Sequence, residues 1–106
     1  MNREDEMRIT VLAVPACPNS PVVLERITAV LAGRAADVEL VEVRDEAEAV
    51  RWRMTGSPTV LIDGADPFAW DGAEPSVSCR LYPGPDGRAD GAPSEEALRQ
   101  ALEAAG

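Results

Sequence analysis

The stretch "RITVLAVPACPNSPVVLERITAVL", residues 8 to 31, passes from one periodicity to another with a cysteine at the change. Arg8 to Val14 is rich in β-branched residues and nearly continuous in apolar character, the pattern of a strand buried on both faces. Pro15 ends that run. From Ser20 to Leu31 the apolar residues Val23, Ile27, Val30 and Leu31 recur at helical spacing, with Ser20 as N-cap, Pro21 at the first helical position and Gly33 just past the end. Cys17 is thereby placed between the carboxyl end of a strand and the N-terminus of a helix.

Working outward, "VELVEV" (38 to 43) reads as a strand near a sheet edge, with one slip in its alternation. In "RDEAEAVRWRMTG" (44 to 56), Asp45 followed by Glu48 is a capping box with Asp in place of Ser or Thr. Ala47, Val50 and Met54 give that helix an inward stripe, and Gly56 closes it. "TVLID" (59 to 63) is a third strand, and "SVSCRLY" (76 to 82) a fourth, with Val77, Cys79 and Leu81 on one face. Between them, residues 64 to 77 are turn-rich yet carry Phe68 and Trp70. Residues 83 to 93 read as a polar, mobile loop, and Ser94 caps a last helix with a stripe of Leu98, Ala101, Leu102 and Ala105.

The order β-α-β-α-β-β-α predicts an α/β fold: a four-stranded mixed sheet with three helices. Strands one and two are joined by a right-handed parallel crossover, and the fourth strand is expected to form an antiparallel hairpin with the third. One domain is expected over residues 1 to 106, with a charged lead at 1 to 7.

Charge and composition narrow the chemistry. Nineteen acidic against 10 basic side chains give a formal net charge of -9, which repels nucleic acid and anionic lipid. The charged start and the lack of a run near 18 apolar residues, about the length of a membrane span, lead us to expect no export signal, no membrane partner and a cytoplasmic location. With 0 histidines, Ser-His-Asp and Cys-His catalysis and imidazole zinc sites are excluded.

Cysteine chemistry is what remains. The free N–H groups and partial positive charge of a helix N-terminus favour a thiolate over a thiol; the plainer reading of Cys17 is a small hydrophobe in a strand-to-helix turn. Pro58 lies 41 positions on (58 minus 17) directly before a strand, where a trans proline is also tolerated. The pair "CPNS … SPT", with helix, strand and helix between, resembles the thioredoxin-like superfamily. That resemblance implies Cys17 as nucleophile, Ser20 at the place of a resolving cysteine, Pro58 as a cis-proline and Ser57 as the residue whose backbone pairs with a bound thiol peptide. The C-x-x-S form is similar to monothiol glutaredoxins, although their aromatic and basic glutathione-binding positions are not recognisable here. "PTVLIDG.DPFA" and "SCRLY" also resemble short bacterial thioredoxin-like proteins, some labelled as alkylmercury lyase and some carrying selenocysteine at the Cys17 position. This implies a reactive chalcogen there.

The expected function is therefore a thiol-dependent redox protein, a monothiol oxidoreductase with Cys17 and Ser20 as its catalytic residues. Ser57, Pro58, Pro18, Asn19 and Phe68 are its expected binding surface. No metal or bound cofactor is expected; glutathione or another small thiol, or a thiol- or disulfide-bearing protein, is the expected co-substrate or partner. The alternatives are a non-catalytic thioredoxin-like binding module, and a soft-metal or mercurial site built from Cys17 and Cys79. In the superfamily's sheet order Cys79 sits two strand spacings from Cys17, about 9 to 10 Å, beyond the roughly 7 Å a disulfide tolerates. It is expected to be a core residue unless the hairpin is irregular. Phe68 and Trp70 either wall the thiol site or cover the end of the core, and Asp63, Asp66 and Asp71 are expected to serve turns.

Overall fold

The computed structural model describes residues 7–105, so the charged lead, apart from Met7, lies outside the described residues. In chain order the elements are β1 (Met7–Ala13), α1 (Ser20–Leu31), β2 (Ala36–Glu42), α2 (Glu46–Trp52), β3 (Thr55–Ser57), β4 (Thr59–Ile62), β5 (Ser76–Cys79), β6 (Tyr82–Pro83), β7 (Ala89–Asp90) and α3 (Glu95–Ala105). The central strand β1 pairs in parallel with β2 and antiparallel with β4, with Val11 opposite both Leu40 and Val60.

The alternation of β1 sorts its side chains into two apolar layers. Ile9 and Val11 join Val60 and Ile62 beneath Val23, Ile27, Val30 and Leu31 of α1 and Leu98 and Leu102 of α3. On the other face Leu12 packs with Val43, Ala49, Met54 and Leu61. Two helices thus cover one face and α2 the other. Among the described residues β2 forms an outer strand of the three-stranded sheet; Val38 and Leu40 are 40% and 43% exposed.

The helix ends follow local chemistry, with two shifts from the sequence reading. The N-cap of α1 is Asn19, not Ser20, and it makes no side-chain capping bond. At α2 the Asp45 carboxylate accepts the Glu48 N–H at 2.9 Å, while Glu48 Oε1 accepts the N–H of Arg44 at 2.7 Å. The inward residues there are Ala49 and Met54, whereas Val50 is 61% exposed. The helix ends at Trp52 and Arg53 turns left-handed, so the position of Met54 is not set by helical period.

The expected four-stranded sheet is corrected: among the described residues the strands form sheets of three, two and two. After β4 the chain turns back at once, Ile62 N–H bonding to the Ala65 carbonyl at 2.8 Å and Ala65 N–H to that of Ile62 at 3.1 Å. The fourth strand, β5, then runs parallel to β3 instead of antiparallel to β4, pairing Thr55 with Ser76 and Ser57 with Cys79. Gly56 permits this. It sits at φ +117°, and a Cβ there would lie 2.7 Å from Arg80 Cβ. The strand stops before Arg80, so Val77 is half-buried while Cys79 and Leu81 are exposed, Leu81 to 67%.

The segment expected as a loop over residues 83 to 93 holds β7 and the end of β6, which pair through Tyr82 with Asp90 and Pro83 with Ala89. Arg26 of α1 holds that hairpin through Asp90 at 3.1 Å and the carbonyls of Ala92 and Pro93 at 3.2 and 3.0 Å. Among the described residues no helix is long and apolar enough to cross a membrane.

Candidate functional site

Cys17 occupies the turn between β1 and α1. Its N–H donates to the Val14 carbonyl at 3.2 Å, and its own carbonyl accepts both the N–H of Ser20 at 3.3 Å and the Ser20 hydroxyl at 3.1 Å. The Ser20 hydroxyl proton is thus committed to Cys17's backbone, and what Ser20 does in this geometry is fix the shape of the turn. Ala16, just before the cysteine, adopts a left-handed φ of 62°. Pro15, Ala16 and Pro18 are exposed, whereas Cys17 itself is 7% exposed. Asn19 is half-buried against Gly91, where an added Cβ would run into the Asn19 amide.

A second segment is tied to this turn from behind. The Val14 N–H donates to Ser57 Oγ at 3.1 Å, and the Ser57–Pro58 peptide bond is cis. The Pro58 carbonyl accepts the Tyr82 hydroxyl, and the Ser57 carbonyl accepts the Arg80 N–H at 3.1 Å. Thr59 donates its hydroxyl to the Gly56 carbonyl and accepts the Thr55 N–H at 3.2 Å. Ser57 is 2% exposed and Pro58 is fully buried, so in this conformation they back the cysteine turn and present no surface to a partner.

Arg80, which the sequence reading passed over, organises this wall. Its Nη1 donates to Thr55 Oγ1 at 2.9 Å and to Asp66 Oδ2 at 2.8 Å, and its Nη2 to the Phe68 carbonyl at 2.8 Å. The guanidinium stacks over the rings of Trp70 at 4.9 Å and Tyr82 at 4.7 Å. The Arg80 and Asp66 side chains are 4% and 11% exposed, so the charge is buried beside its counter-ion and makes three hydrogen bonds from Nη1 and Nη2. The available signal was an arginine interrupting a strand pattern just after a segment bearing Asp, Phe and Trp.

Phe68 packs against the α1/α3 layer and stands edge-on to Tyr82 with centroids 5.5 Å apart, so it covers the core. Trp70 is 53% exposed above Arg80. Asp66 combines turn chemistry, accepting the Phe68 N–H at 2.8 Å, with the ion pair. Asp63 accepts the Arg8 N–H at 2.9 Å. Burial pushes the Tyr82 phenol above its ordinary pKa; the Arg80 charge offsets part of that rise and Asp66 adds to it.

Cys79, expected in the core, is exposed and sits opposite Ser57 in the ladder. β5 pairs with β3 instead of extending the central sheet and ends at Cys79, and β3 still lies between it and the end of β1, to which Ser57 is bonded through the Val14 N–H. Among the described residues no group of three or more His, Cys, Asp or Glu is placed to hold a metal.

A family model described as "Thioredoxin domain" matches residues 7–79. No curated protein and no solved structure matches the chain. The matched span runs from β1 to the end of β5, and Arg80 and Tyr82 follow directly after it.

Proposed function

The chain belongs to the thioredoxin-domain family, and from that premise we propose that it is a redox protein in which the Cys17 thiolate attacks a disulfide. The new S–S bond forms between Cys17 and one substrate sulfur, and the other sulfur leaves as a thiolate and takes a proton from water. Ser20 has no sulfur with which to resolve this mixed disulfide. A second thiol must therefore attack it, such as glutathione or another small thiol, releasing the substrate thiol. Pro18 and Asn19 at the turn meet the partner, Ser57 and Pro58 brace the turn from behind, and Phe68 supports that brace through its contact with Tyr82. A reducing compartment such as the cytoplasm suits a free thiol of this kind.

The observation that carries this reading is the coupling of the Cys17 turn to the Pro58 segment through Ser57 Oγ and Val14 N–H at 3.1 Å. The test is reaction of the reduced protein with glutathione disulfide, followed by peptide mass mapping. The expected result is a glutathione adduct on Cys17, with disulfide reductase activity lost in Cys17→Ser. Unlabelled Cys17 and full activity in Cys17→Ser would overturn it.

The 7% exposure of Cys17 favours a second reading, a binding module of the same fold without thiol chemistry. That reading expects a Cys17→Ser variant to retain every measurable property of the parent protein.

A further inference from the structure

We propose that β5 is a specificity element for the Cys17 thiol: by occupying the margin of β3 beside the Cys17 turn, it restricts the thiol to small disulfides and keeps out disulfides carried on extended polypeptide. This inference rests on the reading of Cys17 as nucleophile and names the class of disulfide that it meets.

An extended polypeptide is held at a site most directly by adding itself as a strand to an open sheet margin, where its main chain finds partners. Beside Cys17 those margins are taken. The strand that ends at the turn, β1, lies between β2 and β4, and β4 is buried along its whole length, from Thr59 to Ile62. The next segment, β3, reaches the turn through Ser57 Oγ and the Val14 N–H at 3.1 Å. Its margin is paired with β5, Thr55 with Ser76 and Ser57 with Cys79. Bonds from the Ser76 N–H to the Met54 carbonyl at 3.0 Å and from the Arg80 N–H to the Ser57 carbonyl at 3.1 Å close both ends of that pairing. An outer margin remains on β2, but a chain added there would stand two strand spacings, about 9 to 10 Å, from β1 and would meet the exposed Glu39 and Glu42.

The cover is anchored. Arg80, directly after β5, donates from Nη1 to Thr55 Oγ1 at 2.9 Å and to Asp66 Oδ2 at 2.8 Å. Gly56 lets the two segments approach: a Cβ there would lie 2.7 Å from Arg80 Cβ and 3.3 Å from the Ser78 carbonyl oxygen. What is left to a substrate is the turn itself, where Pro15, Ala16 and Pro18 are exposed around a cysteine that is 7% exposed. A disulfide with short substituents can bring one sulfur to that opening without main-chain partners.

The step balances. The Cys17 thiolate bonds to one sulfur of the small disulfide, the S–S bond of that disulfide breaks, and the second sulfur leaves as a thiolate that takes a proton from water. An external small thiolate then bonds to the sulfur held on Cys17, and Cys17 leaves as the thiolate.

For the test, full-length Cys79→Ser protein, which keeps Cys17 as its one thiol, is mixed with bis(2-hydroxyethyl) disulfide or with the symmetrical disulfide of an extended linear peptide that has a central cysteine. The reactions are quenched in acid and read by intact mass and tryptic peptides, and the same chain unfolded in urea gives the reference ratio of the two rates. Folding is expected to lower the peptide-to-small ratio about tenfold, the lower end of what a site achieves by shape alone. Gly56→Ala and Thr55→Val, which loosen β5, are expected to recover part of that loss at equal fraction folded, as followed by circular dichroism. A native ratio equal to the unfolded one, or one that neither variant raises, would overturn the inference and leave the role of Cys17 standing. Absence of any adduct on Cys17 with either disulfide would remove both.

Discussion

Ser57 Oγ accepts the backbone N–H of Val14 at 3.1 Å across 43 positions of sequence, fastening the segment before Pro58 to the strand end that leads into Cys17. Replacing Ser57 with Ala leaves a half-buried N–H without this acceptor, at a cost of about 1 to 3 kcal/mol. Ser57→Ala is expected to lower the urea midpoint and to speed alkylation of Cys17, because the turn loses its brace. Cys17 alkylation unchanged at equal fraction folded would show that the bond does not control the thiol.

The Arg80–Asp66 pair, at 2.8 Å and almost without solvent contact, is expected to act as a single unit. Removing one partner leaves an uncompensated buried charge, about 3 to 5 kcal/mol. This is a large share of the roughly 5 to 15 kcal/mol that holds a domain folded. Arg80→Leu should therefore be severely destabilised. The double variant Arg80→Leu/Asp66→Leu should cost less than the sum of the two single changes. Additivity in urea unfolding within about 0.5 kcal/mol would count against a coupled pair.

Gly56→Ala and Gly33→Ala separate two effects. At Gly33, φ is +87° with nothing within 4 Å of the added Cβ, so only the left-handed backbone penalty of about 1 to 2 kcal/mol applies. At Gly56 the same kind of strain is joined by a 2.7 Å approach to Arg80 Cβ. The loss at Gly56 should exceed that at Gly33 and should weaken hydrogen-exchange protection of the Arg80 amide. Equal losses would show that β5 adjusts freely.

Tyr82 supplies an alkaline signature. Burial raises its phenol pKa in the fold, so the unfolded chain releases this proton first. Stability is then unaffected by this group below the unfolded value of about 10, and falls as pH rises beyond it by at most about 1.4 kcal/mol per pH unit. There is one tyrosine and no histidine, and the 10 basic side chains are all arginine, so in a background with both cysteines replaced by Ser the phenol is well isolated. Urea midpoints from pH 9 to 11.5 should slope downward in that background and stay flat in its Tyr82→Phe derivative. The derivative should also start lower, since the bond to the Pro58 carbonyl is gone. Parallel slopes would refute the assignment.

What the sequence disclosed was mainly local. The passage from a β-branched run to helical spacing places Cys17 between β1 and α1, because both patterns are set within a few residues. Asp45 and Glu48 announce the start of α2 for the same reason. The pairing of β5 was not legible, since it depends on a missing side chain at Gly56 and on an arginine whose partners Thr55 and Asp66 lie 25 and 14 positions away. The misplacement of Cys79 follows directly from that. Phe68 was readable only as one of two possibilities, and the edge-on contact with Tyr82 decides between them.

The outer strand β2 has a consequence for association. Its run "ADVELVE" alternates exposed Val38 and Leu40 with Asp37, Glu39 and Glu42 along one margin of the three-stranded sheet. A strand with a free margin is a template on which a second copy can grow, and carboxylates placed along it oppose that growth. Exchanging Glu39 for valine would join Val38, Leu40 and Val41 into an uncharged, self-complementary β segment. Among the described residues no strand pairs on that margin, so the acidity of β2 is expected to oppose polymerisation along the sheet, and Glu39→Val is expected to aggregate faster than the parent.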